Sequence, residues 1–190
     1  MTKLVVFASG NGSNFEAILQ AIENKTLNAS VVGLICDKAQ AYCLIRAQQH
    51  HIPFAVFNRS DYDSKLEMDC AILRQVKAWQ ADWLILAGYM RLLTSLIITA
   101  YPKHIINIHP SLLPKYKGKD ALGQALANHE TILGVSIHYV DEGMDTGELI
   151  AQASFTITPD QDRDSVETTL HQLEHDLYPK VIGQLIKENL

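Results

Sequence analysis

The apolar positions of this chain fall into short continuous runs that alternate with stretches of helical spacing. "KLVVFA" (3–8) is apolar without a break, as in a strand buried on both faces. "NFEAILQAIENK" (14–25) carries its apolar residues at helical intervals, with Ser13 or Asn14 placed as an N-cap. A second buried strand, "ASVVGLICD" (29–37), precedes helical "AQAYCLIRAQQH" (39–50). "PFAVFN" (53–58) is a third strand, followed by a long helix across "DSKLEMDCAILRQVKAWQ" (63–80). "DWLILAG" (82–88) and "HIINIH" (104–109) are two further strands, with a short helix over 94–101 between them. After "ALGQALANHE" (121–130) the pattern changes: "GVSIHYVD" (134–141) and "GELIAQASFTI" (147–157) are two strands joined only by "EGMDT", before a last helix over 162–187.

This alternation predicts an α/β fold: a doubly wound, mostly parallel, Rossmann-like sheet with helices on both faces. The short connection near the C-terminus predicts an antiparallel strand pair there. No repeat, low-complexity tract or linker interrupts the pattern, so the expectation is one domain across residues 1–190.

Composition narrows the function. A hydrophobic share of 47% fits a globular protein with a full core. The net charge of −5 argues against a nucleic-acid surface, although a local anion site needs no global charge. Cys36, Cys43 and Cys70 have no CxxC spacing and fit the reduced thiols of a cytoplasmic protein. The apolar run at the N-terminus is too short for a signal peptide or a membrane span.

Three segments carry chemistry. In "NIHPSLLPKYKG" (107–118), strand alternation sends Asn107 and His109 to one face, and Pro110 and Pro114 then force a stiff loop. Two neutral hydrogen-bonding groups at a strand end suit the polarisation of a carbonyl, and open α/β sheets bind ligands at those ends. "SGNGSN" (9–14) runs from the first strand into a helix, where glycines and free N–H groups favour a phosphate. It is neither a P-loop nor a GxGxxG fingerprint, since Phe15 stands where the last glycine belongs. Asp37, at the end of the second strand, is a ribose-binding candidate. In "HYVDEGMDTGELIAQ" (138–152), Asp141, Glu142 and Asp145 crowd a glycine-flanked turn without EF-hand spacing, and no histidine pattern indicates zinc. Asp145 is placed to orient and charge His109. His138, on an alternating strand, reads as a structural histidine.

Together, "SGNGSNFEAI", "LAGYMRLL", "NIHPSLLPKYKG" and "GVSIHYVDEGMDTGELIAQ" resemble the phosphoribosylglycinamide formyltransferase family, folate-dependent enzymes of purine synthesis. The resemblance runs from residue 3 to about residue 180. Asn-x-His-Pro-Ser with the later Asp marks the folate formyltransferase superfamily, and "GNGSN" narrows it to the glycinamide ribonucleotide branch. The resemblance implies a catalytic trio of Asn107, His109 and Asp145. It implies substrate binding by Gly12, Ser13, Asn14 and Glu174, the last in "LEHDLYP". For the co-substrate 10-formyltetrahydrofolate it implies Met90, Arg91, Leu92 and Leu93, with Tyr139, Val140 and Asp141 of the later loop. It divides the chain into a phosphate- and nucleotide-binding half (1–100) and a catalytic and folate-binding half (101–190), with no metal. The implied partners are small molecules, glycinamide ribonucleotide and folate, with no nucleic acid and no membrane, in a cytoplasmic monomer or homodimer.

The chain departs from the family in two places. Some members have a His-containing "GLHTH"-like stretch where this chain reads "GKDALGQ" (118–124), and longer members continue past the position of Leu190. Formyltetrahydrofolate hydrolase, with water as acceptor, is the alternative that shares the trio. Methionyl-tRNA formyltransferase is disfavoured by the acidic charge. A non-catalytic nucleotide-binding module leaves the trio unexplained.

Overall fold

The computed structural model describes residues 1–158 and 161–189. Seven strands form one sheet in the order β3-β2-β1-β4-β5-β6-β7. The strands are β1 (Thr2–Ala8), β2 (Ala29–Cys36), β3 (Phe54–Val56), β4 (Trp83–Leu86), β5 (Ile105–His109), β6 (Ile132–Tyr139) and β7 (Leu149–Thr156). The helices are α1 (Ser13–Glu23), α2 (Tyr42–Gln49), α3 (Lys65–Ala78), α4 (Ser95–Ala100), α5 (Ala121–Ala127) and α6 (Arg163–Glu188). β1 to β5 pair in parallel, whereas β6 is antiparallel to both β5 and β7.

The unbroken apolar run of β1 follows from burial on both sides. Leu4, Val6 and Ala8 join a core with α1, α2 and α6, while Val5 and Phe7 face a second core under α3 and α4. A third cluster packs α5 and the start of α6 over β6 and β7. Phe15, Ile18 and Leu19 anchor α1 in the first core, each contributing about 1.5–3 kcal/mol by burial. That anchorage holds the N-terminus of α1 at the end of β1.

Several boundaries shift from the sequence pattern, and two of the shifts have a local cause. β3 is only Phe54–Val56, because it is an edge strand paired on one side alone. α1 is capped by Gly12, not by Ser13 or Asn14: Gly12 takes a left-handed conformation and no side chain caps the helix. Among the described residues, no helix is long and apolar enough to cross a membrane.

β1 and β4 are neighbours, and the chain order reverses between them. A crevice therefore opens at their carboxyl ends, where an open α/β sheet binds ligands. The loops that follow the two strands are tied there by a hydrogen bond from Ser9 N–H to Gly88 O, 3.1 Å.

Candidate active site

Asn107 and His109 sit on one face of β5, opposite the face that sends Ile106 and Ile108 into the first core. The loop after β5 is tightly held. Ser136 Oγ donates to Ser111 O at 2.6 Å and accepts from Leu113 N–H at 2.9 Å, and Gln152 Nε2 donates to Ser136 Oγ at 2.8 Å. The loop then turns back, and Tyr116 O accepts from His109 Nε2 at 2.8 Å. That fixes the ring, leaving Nδ1 3.4 Å from Asp145 Oδ2.

Asp145 stands in a left-handed conformation with φ of 52°. Its turn is closed by Asp141, which accepts from Thr146 Oγ1 at 2.7 Å and from Gly143 N–H at 3.1 Å. The Asp145 carboxylate accepts from Gly118 N–H at 2.8 Å and lies 3.5 Å from Asn107 Nδ2. Burial pushes this carboxyl up, but the Gly118 N–H and the His109 charge hold it below its ordinary value. The structure thus brings Asn107, His109 and Asp145 into one cluster.

A fourth residue belongs there. His138 pairs with Asn107 across the β5–β6 ladder, and its Nε2 is 3.2 Å from Asn107 Nδ2 and 3.6 Å from Asp145 Oδ1. It is a buried, hydrogen-bonded histidine, as its strand pattern suggests, yet its partners are Asn107 and Asp145. The signal lay in pairing register, which a single strand pattern does not reveal. The 118–124 stretch contributes a backbone donor through Gly118, while Asp120 caps α5 by accepting from Gly123 N–H.

The glycine loop lies at the next strand end. Gly12 has φ of 75°, and a Cβ on it would meet Cys43 Cβ at 2.6 Å, so the glycine is needed against α2. Arg46 of α2 braces the loop from outside. Its Nε and Nη2 each donate to Asn11 at 3.0 Å, and its Nη1 donates to Glu16 at 3.0 Å. Nothing local in the sequence marks this residue.

Asn14 and Glu174 are 160 positions apart but share a buried hydrogen bond, Nδ2 to Oε2, of 3.0 Å. Asn14 Oδ1 is buried without a protein partner. Burial raises the Glu174 carboxyl, opposed by the Asn14 hydrogen bond and the His171 charge. One turn on, the Tyr178 hydroxyl is 2.9 Å from Leu86 O and 3.2 Å from Ile106 O. This ties α6 to the ends of β4 and β5, beside Asn107.

The loop after β4 divides its four residues. Met90 and Leu92 are exposed, Leu93 is buried in the second core, and Arg91 turns to Asp37. Asp37, the ribose candidate, is buried and accepts from Arg91 Nε at 2.7 Å. Val140 packs against the same core as Leu93, which sets the 139–145 turn beside this loop. Tyr139 carries the Lys103 ammonium over its ring.

A family model described as formyl transferase matches residues 2–182. The chain belongs to the formyl transferase family. It is 46% identical to the phosphoribosylglycinamide formyltransferase of Bacillus subtilis, over all of this chain and 97% of that one. A crystal structure of glycinamide ribonucleotide transformylase 1 from Geobacillus kaustophilus superposes with a TM-score of 0.94 at 48% identity, covering 97% of this chain and 98% of that one. A phosphoribosylglycinamide formyltransferase from Bacillus halodurans gives a TM-score of 0.96 at 39% identity, over 100% and 97% of the two chains. This formyl transferase therefore carries its buried histidine pair, glycine loop and Asn14–Glu174 contact on the Rossmann-like sheet of those relatives.

Proposed function

We propose that this chain transfers the formyl group of 10-formyltetrahydrofolate to the amine of 5′-phosphoribosylglycinamide. The products are 5′-phosphoribosyl-N-formylglycinamide and tetrahydrofolate, an step of purine biosynthesis. The observation that carries the reading is the Asn107–His109–Asp145 cluster, set between a glycine loop and an exposed Met90–Leu92 edge.

The phosphate is held by the backbone N–H groups at Gly12, Ser13 and Asn14 and the positive end of α1. Glu174 accepts from the ribose hydroxyls, and Asn14 Oδ1 is free to accept beside it. The folate lies along Met90 and Leu92, the backbone of Arg91 and Leu93, and the Tyr139–Val140–Asp141 turn. Each half of the chain, 1–100 and 101–190, thus meets both substrates.

The amine attacks the formyl carbon, giving a tetrahedral intermediate with an oxyanion. Asn107 has two amide hydrogens. One reaches His138, and the other makes only the long 3.5 Å contact with Asp145, so it can be exchanged for the oxyanion. Asp145, 3.4 Å from His109 Nδ1, balances the charge His109 gains when it takes up a proton in the reaction. One such donor is worth on the order of 10²–10³ in rate. The amine must lose a proton and the folate nitrogen gain one, and His109 with Asp145 supplies the relay. Holding both substrates across one crevice supplies further acceleration. No metal and no covalent enzyme intermediate enters the scheme. The enzyme works in the cytoplasm, as a monomer or homodimer.

A two-substrate assay tests this. Tetrahydrofolate release is expected to depend on added glycinamide ribonucleotide. Equal release without that acceptor would make the chain a hydrolase, a reading that leaves the glycine loop and Glu174 without a role.

A further inference from the structure

Two cysteines that formyl transfer does not use lie directly behind the glycine loop. Cys36 ends β2 and Cys43 lies in the first turn of α2. Both are buried, and their sulfurs are 3.7 Å apart, with the Cys43 thiol donating to Cys36. The Lys38 N–H also donates to the Cys36 sulfur, at 3.4 Å. The Cys43 hydrogen bond, opposed by burial, brings Cys36 down to about 7, and the same hydrogen bond pushes Cys43 up. Of the two, Cys36 is the thiol favoured to ionise, because it receives the Cys43 and Lys38 hydrogen bonds.

Backbone contacts couple this pair to the loop. Cys43 N–H donates to Gly10 O at 3.0 Å. Gly12 lies so close that an added Cβ would stand 3.1 Å from Cys43 Cα. A shift of Cys43 is felt by the loop at once.

We propose that Cys36 and Cys43 form an oxidation site, which hydrogen peroxide converts to a disulfide that distorts the glycine loop and weakens ribonucleotide binding. The Cys36 thiolate attacks one peroxide oxygen; the S–O bond forms, the O–O bond breaks, and hydroxide leaves to take up a proton as water. The Cys43 sulfur then attacks Cys36, forming the S–S bond and breaking the S–O bond. The Cys43 proton leaves with that oxygen as a second water. Two thiols are oxidised and one peroxide is reduced, so the step balances without another reagent. The sulfurs must close from 3.7 Å to about 2.05 Å, which draws the first turn of α2 towards β2 and away from its fit against Gly10 and Gly12. Both thiols are sealed beneath the loop, so peroxide enters when the loop opens. By reciprocity, a bound ribonucleotide makes the disulfide less favourable.

The effect on binding rests on the phosphate reading above; formation of the disulfide does not. Cys70, exposed on α3, is replaced in a Cys70→Ser protein to remove its own reaction. After peroxide treatment, peptide mass spectrometry is expected to show a Cys36–Cys43 linkage. Calorimetry should show ribonucleotide affinity lowered by about tenfold or more, the loss of one phosphate hydrogen bond. Folate affinity should hold, and dithiothreitol should restore the original state. In a Cys43→Ser, Cys70→Ser protein the reaction should stop at a Cys36 sulfenic acid, trapped by dimedone. Cys36 left unmodified in excess peroxide overturns the oxidation site. A linkage that leaves ribonucleotide affinity unchanged overturns its coupling to the loop. If the untreated protein binds no ribonucleotide, the substrate reading fails instead, and the linkage is still judged by mass alone.

Discussion

Asn107 Nδ2 lies 3.2 Å from His138 Nε2, its direct partner across the β5–β6 ladder. His138 Nδ1 is 2.8 Å from Tyr139 O, and a carbonyl only accepts, so Nδ1 carries the proton. In the neutral ring Nε2 is then an acceptor. It holds the Asn107 amide with its NH2 group turned to the site, which is the orientation an oxyanion requires. Under the proposed mechanism His138 acts as a positioning residue. His138→Ala is expected to lower kcat by about ten- to a hundredfold, with KM for both substrates little changed, because the donor is misaimed and not removed. Unchanged kcat would return His138 to a purely structural role.

Asn107→Ala and His109→Ala should each lower turnover by at least about a hundredfold. Thermal unfolding of both variants should stay close to wild type for Asn107, which is only half-buried, and fall somewhat for His109, which loses the Tyr116 contact. Near-normal turnover in either variant would remove that residue from the mechanism.

Asp145 has its carboxyl held below the ordinary value in the folded state. The stabilisation this brings is present above the unfolded value of about 4 and is lost as pH falls through the lower folded value. Asp145→Asn has no such acid transition from this site. Because the wild-type group is ionised throughout the neutral range, the variant should be severely impaired at every pH tested between acid and alkaline limits. A pH–rate profile that merely shifts, at full height, would show the carboxylate to be dispensable.

Much of this arrangement is legible in the sequence, and the physical reason is locality. The apolar run of β1 and the Asn107–His109 spacing depend on alternation within one strand, and the structure keeps both. The N-cap was displaced because Gly12, with φ of 75°, ends the loop one residue earlier than a side-chain cap would. Arg46 bracing Asn11, Asp37 paired with Arg91 and His138 behind Asn107 all depend on partners 31 to 54 residues away. No local pattern encodes such pairings.

Gly12 shows the same distinction. Its positive φ is readable from the turn, and the sequence alone suggests that a Cβ there would project towards the phosphate; the structure turns it to Cys43 instead. Gly12→Val should weaken ribonucleotide binding by over about a hundredfold, the loss of two charge-assisted hydrogen bonds, and should also lower the melting temperature. Folate binding, measured by separate calorimetry, should change far less. Combining Gly12→Ala with Cys43→Gly removes the nearer, 2.6 Å contact and should recover part of the affinity lost by Gly12→Ala alone. No recovery would rule out the contact with Cys43 as the cause.

Glu174 sits at the opposite balance, since burial raises its carboxyl in the folded state. The folded state therefore takes up this proton first as pH falls. Stability rises as pH is lowered through the raised folded value and levels off below the unfolded value. Above the unfolded value, keeping this carboxyl buried is a cost to the fold. Glu174→Gln keeps an oxygen for the Asn14 hydrogen bond and should raise the melting temperature at neutral pH while weakening ribonucleotide binding. The difference in stability from wild type should shrink in acid. A variant that is less stable at neutral pH would show that the Asn14 bond outweighs burial.

The loop of residues 88–94 is pinned from beneath by three buried side chains, one just past β1, one just past β2 and one on α3. Ser9 Oγ accepts from Met90 N–H at 2.9 Å, Asp37 Oδ2 from Arg91 Nε at 2.7 Å, and Asp69 Oδ2 from Thr94 N–H at 2.6 Å. Asp69 comes from α3, so the helix on the far side of the second core sets the height of the exposed Met90–Leu92 edge. Asp69→Ala leaves the Thr94 N–H without its acceptor, at a cost of about 1–3 kcal/mol. The loop is expected to relax outward, carrying Met90 and Leu92 with it. KM for the folate should rise several-fold or more while the ribonucleotide KM holds, because the glycine loop has its own brace in Arg46. Asp69→Asn retains an acceptor oxygen and should restore most of the folate KM. A folate KM that is unchanged in Asp69→Ala, or one that Asp69→Asn fails to rescue, would remove this aspartate from the positioning of the co-substrate.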